Sequence, residues 1–248
     1  MSMRIRPATD ADLRVLATVV AGAFHPLAVA RWLVPDEMQR LRMFPPYFTI
    51  LLEHALVHGA VDITASRDAV AAWLPHTGSP LPTPRDYERR LAEVAGGWLN
   101  RFTVFDALLE EHHPVRAHHY LALLAVRPDR QGQGLGTALL SEHHAHLDET
   151  GLPAYLEASS RASRALYLRH GYVPHGHPLV LPNGPLLYPL MRQPGNPPAA
   201  ARLVQAEPTM PTMPTMPVPG GSHDHAPHRP TPGGSRPGGR VDERVPFG

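Results

Sequence analysis

Hydrophobic and polar positions repeat with two periods along this chain, and each change of period marks an element. Met3–Arg6 reads as a short strand. Thr9 or Asp10 is placed to cap a helix running to about Phe24, with Leu13, Leu16, Ala17 and Val20 on one face. Asp36 opens a second helical region. Pro45-Pro46 is expected to split that region, and Tyr47–Val57 to resume it, because an interior proline removes a helix hydrogen bond. Ala60–Ala65 and Ala69–Leu74 have strand patterns joined by the polar turn Ser66-Arg67-Asp68. Pro75–Pro84 reads as a proline-rich loop, followed by helical pieces at about 85–95 and 103–111.

The pattern is most regular beyond residue 117. His118–Val126 reads as a strand, with Leu121, Leu123 and Ala125 expected on one face and Ala122, Leu124 and Val126 on the other. Gly134–Asp148 is expected to be helical, with Leu135, Ala138 and Leu139 on an apolar face. Ala154–Ala158 is a strand, and Ser160–His170 a short helix stopped by Gly171. Two more strands, near 172–180 and 185–191, turn at Pro182-Asn-Gly-Pro185. Strand–helix–strand–helix–strand implies an α/β sheet.

Composition bounds this picture. The chain has 248 residues, enough for one large domain or two small ones. Thirteen of the 30 prolines lie from Pro194 onward, with a PTMPTMPTMP repeat at 208–217. Few large apolar residues remain there to offset backbone ordering, so the expected division is a folded domain at 1–192 and a disordered Pro/Gly/His-rich tail at 193–248. His223, His225 and His228 in that tail have no fixed geometry for a metal. Net charge is +1, which gives no electrostatic case for nucleic acid. There is no cysteine, so thiol nucleophiles and disulfides are excluded. The N-terminus lacks the apolar core of a signal peptide, and Val15–Phe24, the longest uninterrupted apolar segment, is too short to span a bilayer. A cytoplasmic protein without membrane contact, monomeric or homodimeric, is expected.

One loop carries the chemistry. VRPDRQGQGLGTALL, residues 126–140, ends a strand, places glycines at 132, 134 and 136, and begins a helix. Glycines allow positive φ and close backbone approach, and the N-terminus of the following helix offers free N–H groups to an anion such as phosphate. The P-loop needs a lysine, and this chain has none. The dinucleotide fingerprint needs a third glycine where Thr137 stands and no spacer after the strand, although Glu157 lies at a suitable distance.

A strand, then V-x-P-x-x-[QR]-x-x-G-x-[GA], then a helix resembles the acyl-CoA loop of the GNAT superfamily of N-acyltransferases. Val126, Pro128, Gln131, Gly134 and Gly136 occupy its positions. A second match lies in LEASSRASRALYLRHGY, 156–172, where Tyr167 sits near the end of a short helix and Gly171-Tyr172 starts a strand. Within the superfamily, Val126–Gly136, Gly151–Ser159 and Tyr167–Tyr172 are most similar to the puromycin N-acetyltransferase group of actinobacterial enzymes. That likeness concerns the cofactor motifs, and the substrate-shaping region at about 24–115 matches only loosely.

The resemblance implies an α/β GNAT fold: a central mixed, mostly antiparallel sheet, splayed at the acyl-CoA site and flanked by helices. It implies acetyl-CoA as co-substrate, no metal, and direct attack by a primary amine of a small molecule. Gln131, Gly132, Gln133, Gly134, Leu135, Gly136 and Thr137 would cradle the pyrophosphate, and Leu124, Ala125 and Val126 would pair with the pantetheine. The Val126 N–H would polarise the thioester carbonyl. Tyr167 would protonate the leaving thiolate, and Glu157 is the first candidate for the base that takes the amine proton. His119 and Tyr120 are further candidates at the start of the strand that ends at Val126. Ser160 stands near the place of a CoA-contacting asparagine, or is a helix N-cap. His112, His113 and His118 read as surface histidines. Two other readings remain open at this level: a protein lysine or N-terminal acetyltransferase, and an acyl-CoA-binding module without catalysis.

Overall fold

The computed structural model describes residues 4–78 and 82–195. The tail from residue 196, with its histidine-rich segment, lies outside the described residues. The remainder is an α/β fold whose strands run in the spatial order β1-β2-β3-β4-β5-β8-β6, with β7 paired to β8. These strands are β1 (Ile5–Pro7), β2 (Ala60–Thr64), β3 (Ala69–His76), β4 (His118–Val126), β5 (Ala154–Ala158), β6 (Val173–Pro174), β7 (Leu179–Val180) and β8 (Leu186–Arg192). The β4–β5 pair is parallel. The other pairs are antiparallel.

The helices are α1 (Leu13–Phe24), α2 (Ala28–Leu33), α3 (Glu37–His58), α4 (Tyr87–Ala95), α5 (Leu99–His112), α6 (Leu135–Thr150) and α7 (Arg161–Arg169). Two cores form. One joins α1–α5 to Val61, Ile63, Val70, Ala72, Leu123 and Ala125. The other packs α6 and α7 against Ala69, Ala71, Trp73, Leu121 and Leu156. Strand side chains alternate between faces, so β3 feeds both cores. Among the described residues, no helix is long and apolar enough to cross a membrane.

Several sequence expectations need correction. Helix α2 falls between two expected helices and was not foreseen. The expected break at Pro45-Pro46 is absent: α3 runs unbroken through both prolines for 22 residues. The carbonyls that lose their partners belong to Leu41 and Arg42, both exposed, so water can satisfy them. Phe44, Tyr47 and Phe48 meanwhile bury themselves in the core and pack edge-on or tilted against one another. Burying these aromatics outweighs the roughly 3 kcal/mol that an interior proline costs. The single strand expected near 172–180 is two short ones, interrupted by Gly176 at φ 75°.

The face assignment along β4 also changes. Leu121 lies in the α6 core with Leu124 and Val126, whereas Leu123 and Ala125 lie in the other. The register against β3 slips at this point: Trp73 pairs with Leu121 and Ala72 with Leu123, leaving Ala122 as an extra residue. That β-bulge resets the alternation.

Candidate active site

The bulge shapes the site by turning the backbone. The His119 N–H points towards β5, donating to Pro153 O at 2.8 Å, whereas the Arg127 N–H points the other way, to Asp68 O on the β3 side at 2.8 Å. Residues an even number apart face the same way in a regular strand, so the bulge between them has reversed the direction. The N–H groups of Leu124 and Val126 therefore point away from β3. On that side β5 has already diverged, since β4 and β5 pair only at His119–Ala154 and Tyr120–Tyr155. The result is a fork with free backbone donors along one arm. The Val126 carbonyl faces the same way and accepts from Gln131 Nε2 at 3.1 Å.

The loop after β4 is held from below. Asp68, nearly buried, pairs with Arg127 at 2.8 Å and with Arg130 at 3.5 Å. Gly132 and Gly134 adopt φ 77° and 80°, in the left-handed region that favours glycine. Gly134 is the N-cap of α6 and no side chain caps the helix, so the N–H groups of Leu135, Gly136 and Thr137 lack intrahelical partners. Gly136 sets this turn against the fork: a Cβ there would lie 3.7 Å from Val126 Cγ2. Thr137 is oriented by a 3.2 Å hydrogen bond between its hydroxyl and His170.

A cavity of about 980 Å³ opens from this fork. Leu124, Ala125, Val126, Gln131, Gly132 and Gly136 line it, as do Glu157 and Tyr167. Gln133, Gly134, Leu135 and Thr137 complete the loop and the helix start beside it. Ser160 does not line the cavity. Its hydroxyl caps α7, accepting from the Ser163 N–H at 3.0 Å, while Ser159 and Ser163 face the space.

Glu157 sits on β5 among hydroxyls rather than cations. Burial raises its pKa to about 7, partly offset by interaction with the Tyr155 and Tyr120 hydroxyls. Its Oε1 is buried and completes no hydrogen bond of normal geometry. Such a carboxyl holds or releases a proton near neutrality, as acid–base chemistry requires. Tyr167, on α7, lies against Tyr172 with ring centroids 5.6 Å apart, and its hydroxyl makes no hydrogen bond among the described residues. Burial pushes its pKa up, so the phenol keeps its proton.

The cavity extends between the sheet and helices α1–α5, where a second polar group was not foreseen. The Tyr87 hydroxyl donates to Asp106 Oδ2 at 2.8 Å, and Tyr47 interacts with Tyr87. Burial raises Asp106 to about 6, against the lowering effect of the Tyr87 hydrogen bond. These residues come from α3, α4 and α5, and no short sequence spacing joins them. The expectation of surface histidines holds for His112 alone. His118 is 1 % exposed and His113 half-buried, their Nε2 atoms 3.0 Å apart. Burial lowers His113 to about 4, so it is neutral at physiological pH. His119 turns away from Tyr120 to His143, 3.0 Å away, and burial lowers it to about 4. Among the described residues, no group of three or more His, Asp or Glu side chains is arranged to hold a metal.

A forked β4–β5 pair, a glycine loop at a helix start and a tyrosine on the next helix define the chain as a GNAT fold. The acetyltransferase (GNAT) domain family matches residues 95–174. The mycothiol acetyltransferase of Streptomyces coelicolor is 35% identical over 117 residues, covering 42% of this chain and 37% of that protein. That of Streptomyces avermitilis is 32% identical over 133 residues, covering 49% and 42%. The chain thus spans about two-fifths of the length of these relatives. Among solved structures, a histone acetyltransferase and related acetyltransferase from Corynebacterium glutamicum superposes with TM-score 0.60 at 26% identity, covering 80% of this chain and 98% of that one. Arylalkylamine N-acetyltransferase 2 from Aedes aegypti shares the fold, with TM-score 0.54 at 12% identity and coverage of 78% and 99%.

Proposed function

We propose that the protein transfers an acetyl group from acetyl-CoA to a primary amine of a small molecule by direct attack. The observation that carries this reading is the single cavity, in which the fork, the glycine loop, Glu157 and Tyr167 meet a chamber walled by α1–α5. The first-turn amides of α6 and the glycine loop receive the pyrophosphate. The Leu124 and Val126 N–H groups face the pantetheine arm, and the Val126 N–H donates to the thioester carbonyl oxygen. Glu157 accepts the proton of the attacking amine, directly or through water, as the N–C bond forms and the C–S bond breaks. Tyr167 gives its proton to the departing sulfur.

The likeness of the motifs to the puromycin N-acetyltransferase group bears on the cofactor and not on the amine, so no acceptor is taken from it. The Corynebacterium likeness favours a second reading, transfer to protein lysine. The chamber's apolar wall, with Phe24, Phe44, Phe48 and Phe105, suits a largely apolar small molecule better than a polar peptide. Tyr167→Phe tests the chemistry. It is expected to lower kcat by about 10²-fold or more, while acetyl-CoA still raises the melting temperature of the variant. Unchanged turnover removes Tyr167 from the reaction.

A further inference from the structure

The part of the cavity walled by α3–α5 carries its own recognition chemistry. Asp106 lines it, and only one of its oxygens is engaged: Oδ2 accepts from Tyr87, while Oδ1 makes no hydrogen bond among the described residues. Tyr47 lies within electrostatic reach of both Asp106 and Tyr120, and Tyr120 interacts with Glu157. Two carboxyls, one on the sheet and one on α5, are thus linked through three tyrosines. The Glu157 carboxyl faces the same space with its buried Oε1 unpartnered. Between and around these groups the wall is mostly aliphatic and aromatic, with Glu110 close to Asp106 and His54, His76 and His113 also facing the space. Among the described residues no arginine lines the cavity, and the chain has no lysine.

A cavity with carboxyls at two places, no arginine or lysine in its described lining and largely apolar walls selects its guest by charge. A carboxylate or phosphate on the guest would lose its water with no arginine or lysine to pair with, which is costly. A protonated nitrogen would find a charge-assisted acceptor. Resting on the acetyltransferase reading, we propose that the acceptor is an elongated, largely apolar amine with a second basic group, an amino or guanidino group. Its reacting nitrogen lies beside Glu157 and its second cation on Asp106. Asp106 is then a specificity residue: it holds the remote end of the substrate and touches none of the reacting atoms.

The test uses the full chain with acetyl-CoA, α,ω-diaminoalkanes of graded length and aminoalkyl-benzylamines, each against the matched monoamine and the matched ω-amino carboxylic acid. The best diamine is expected to exceed its monoamine in kcat/KM by about tenfold or more, with the amino acids poorest. Asp106→Asn keeps an acceptor for the Tyr87 hydroxyl and removes the charge. It is expected to bring the diamine-to-monoamine ratio to within about threefold, mainly through KM for the diamine. A wild-type enzyme that treats the pair alike, or an Asp106→Asn ratio equal to wild type, overturns the proposal. If no amine is acetylated, melting temperatures separate the two ideas. A diamine that stabilises wild type but not Asp106→Asn upholds the site and removes the transfer reading. Equal shifts from diamine and monoamine overturn the site itself.

Discussion

Glu157 acquires its chemistry from position rather than from a charged neighbour. Burial beside the Tyr120 and Tyr155 hydroxyls raises its pKa to about 7, well above an ordinary glutamate. As the proposed base it must be ionised, so kcat/KM is expected to rise with pH through about 7 and to lose that limb in Glu157→Gln. Stability should move the other way. The folded-state pKa lies above the unfolded one, so ionising Glu157 as pH rises through 7 destabilises the fold. Glu157→Gln is therefore expected to melt higher than wild type at pH 8, by about 1–3 kcal/mol, with the difference shrinking as pH falls below 7. A calorimetric comparison at pH 8 and pH 5.5 checks this, and an equal difference at both contradicts it. Glu157 and Tyr167 were legible because a short motif carries both. Asp106 was not: it meets Tyr87 from 19 residues away, and Tyr47 from a third helix. Nor could the sequence decide between the two readings of Ser160, whose hydroxyl the α7 cap occupies.

At the scale of elements, local signals named most strands and helices, and tertiary packing overrode the strongest breaker signal among them. Pro45-Pro46 is a strong breaker signal, yet α3 continues because its aromatic face is buried while the exposed face carries the unpaired carbonyls. Pro46 is itself exposed. Replacing it should restore a helix hydrogen bond, against a smaller loss of unfolded-state stiffness. Pro46→Ala is expected to stabilise by about 1–2 kcal/mol, raising Tm by a few degrees. A lower Tm would mean that the ring packs where the backbone argument gives it no role. The bulge at Ala122 was illegible for a different reason. Leu121-Ala122-Leu123-Leu124 is apolar throughout, so no polar residue marks which position is extra. That one residue decides whether the Val126 N–H meets β3 or the open fork, so the feature on which the proposed carbonyl contact depends left no trace in the hydrophobic pattern.

Over the whole molecule, the sheet was legible from its C-terminal half. There strand, loop, helix and strand recur at the spacing that a forked β4–β5 pair requires. The chamber was not legible, because helices α1–α5 come from a region with weak periodicity and no motif, and its walls exist only once those helices pack across one face of the sheet. The proposed division of labour follows from that architecture. The C-terminal half holds the acyl donor, and the N-terminal helices choose the acceptor. The most direct test is CoA release from acetyl-CoA across a panel of primary amines, with diamines, arylalkylamines, aminonucleosides, amino acids and lysine peptides side by side. Turnover concentrated in apolar small-molecule amines, with the acetylated product matching the CoA released, is the predicted result. No release with any amine, while acetyl-CoA still raises the melting temperature, would contradict it and leave an acyl-CoA-binding module. Release confined to lysine peptides would contradict the assignment of the acceptor.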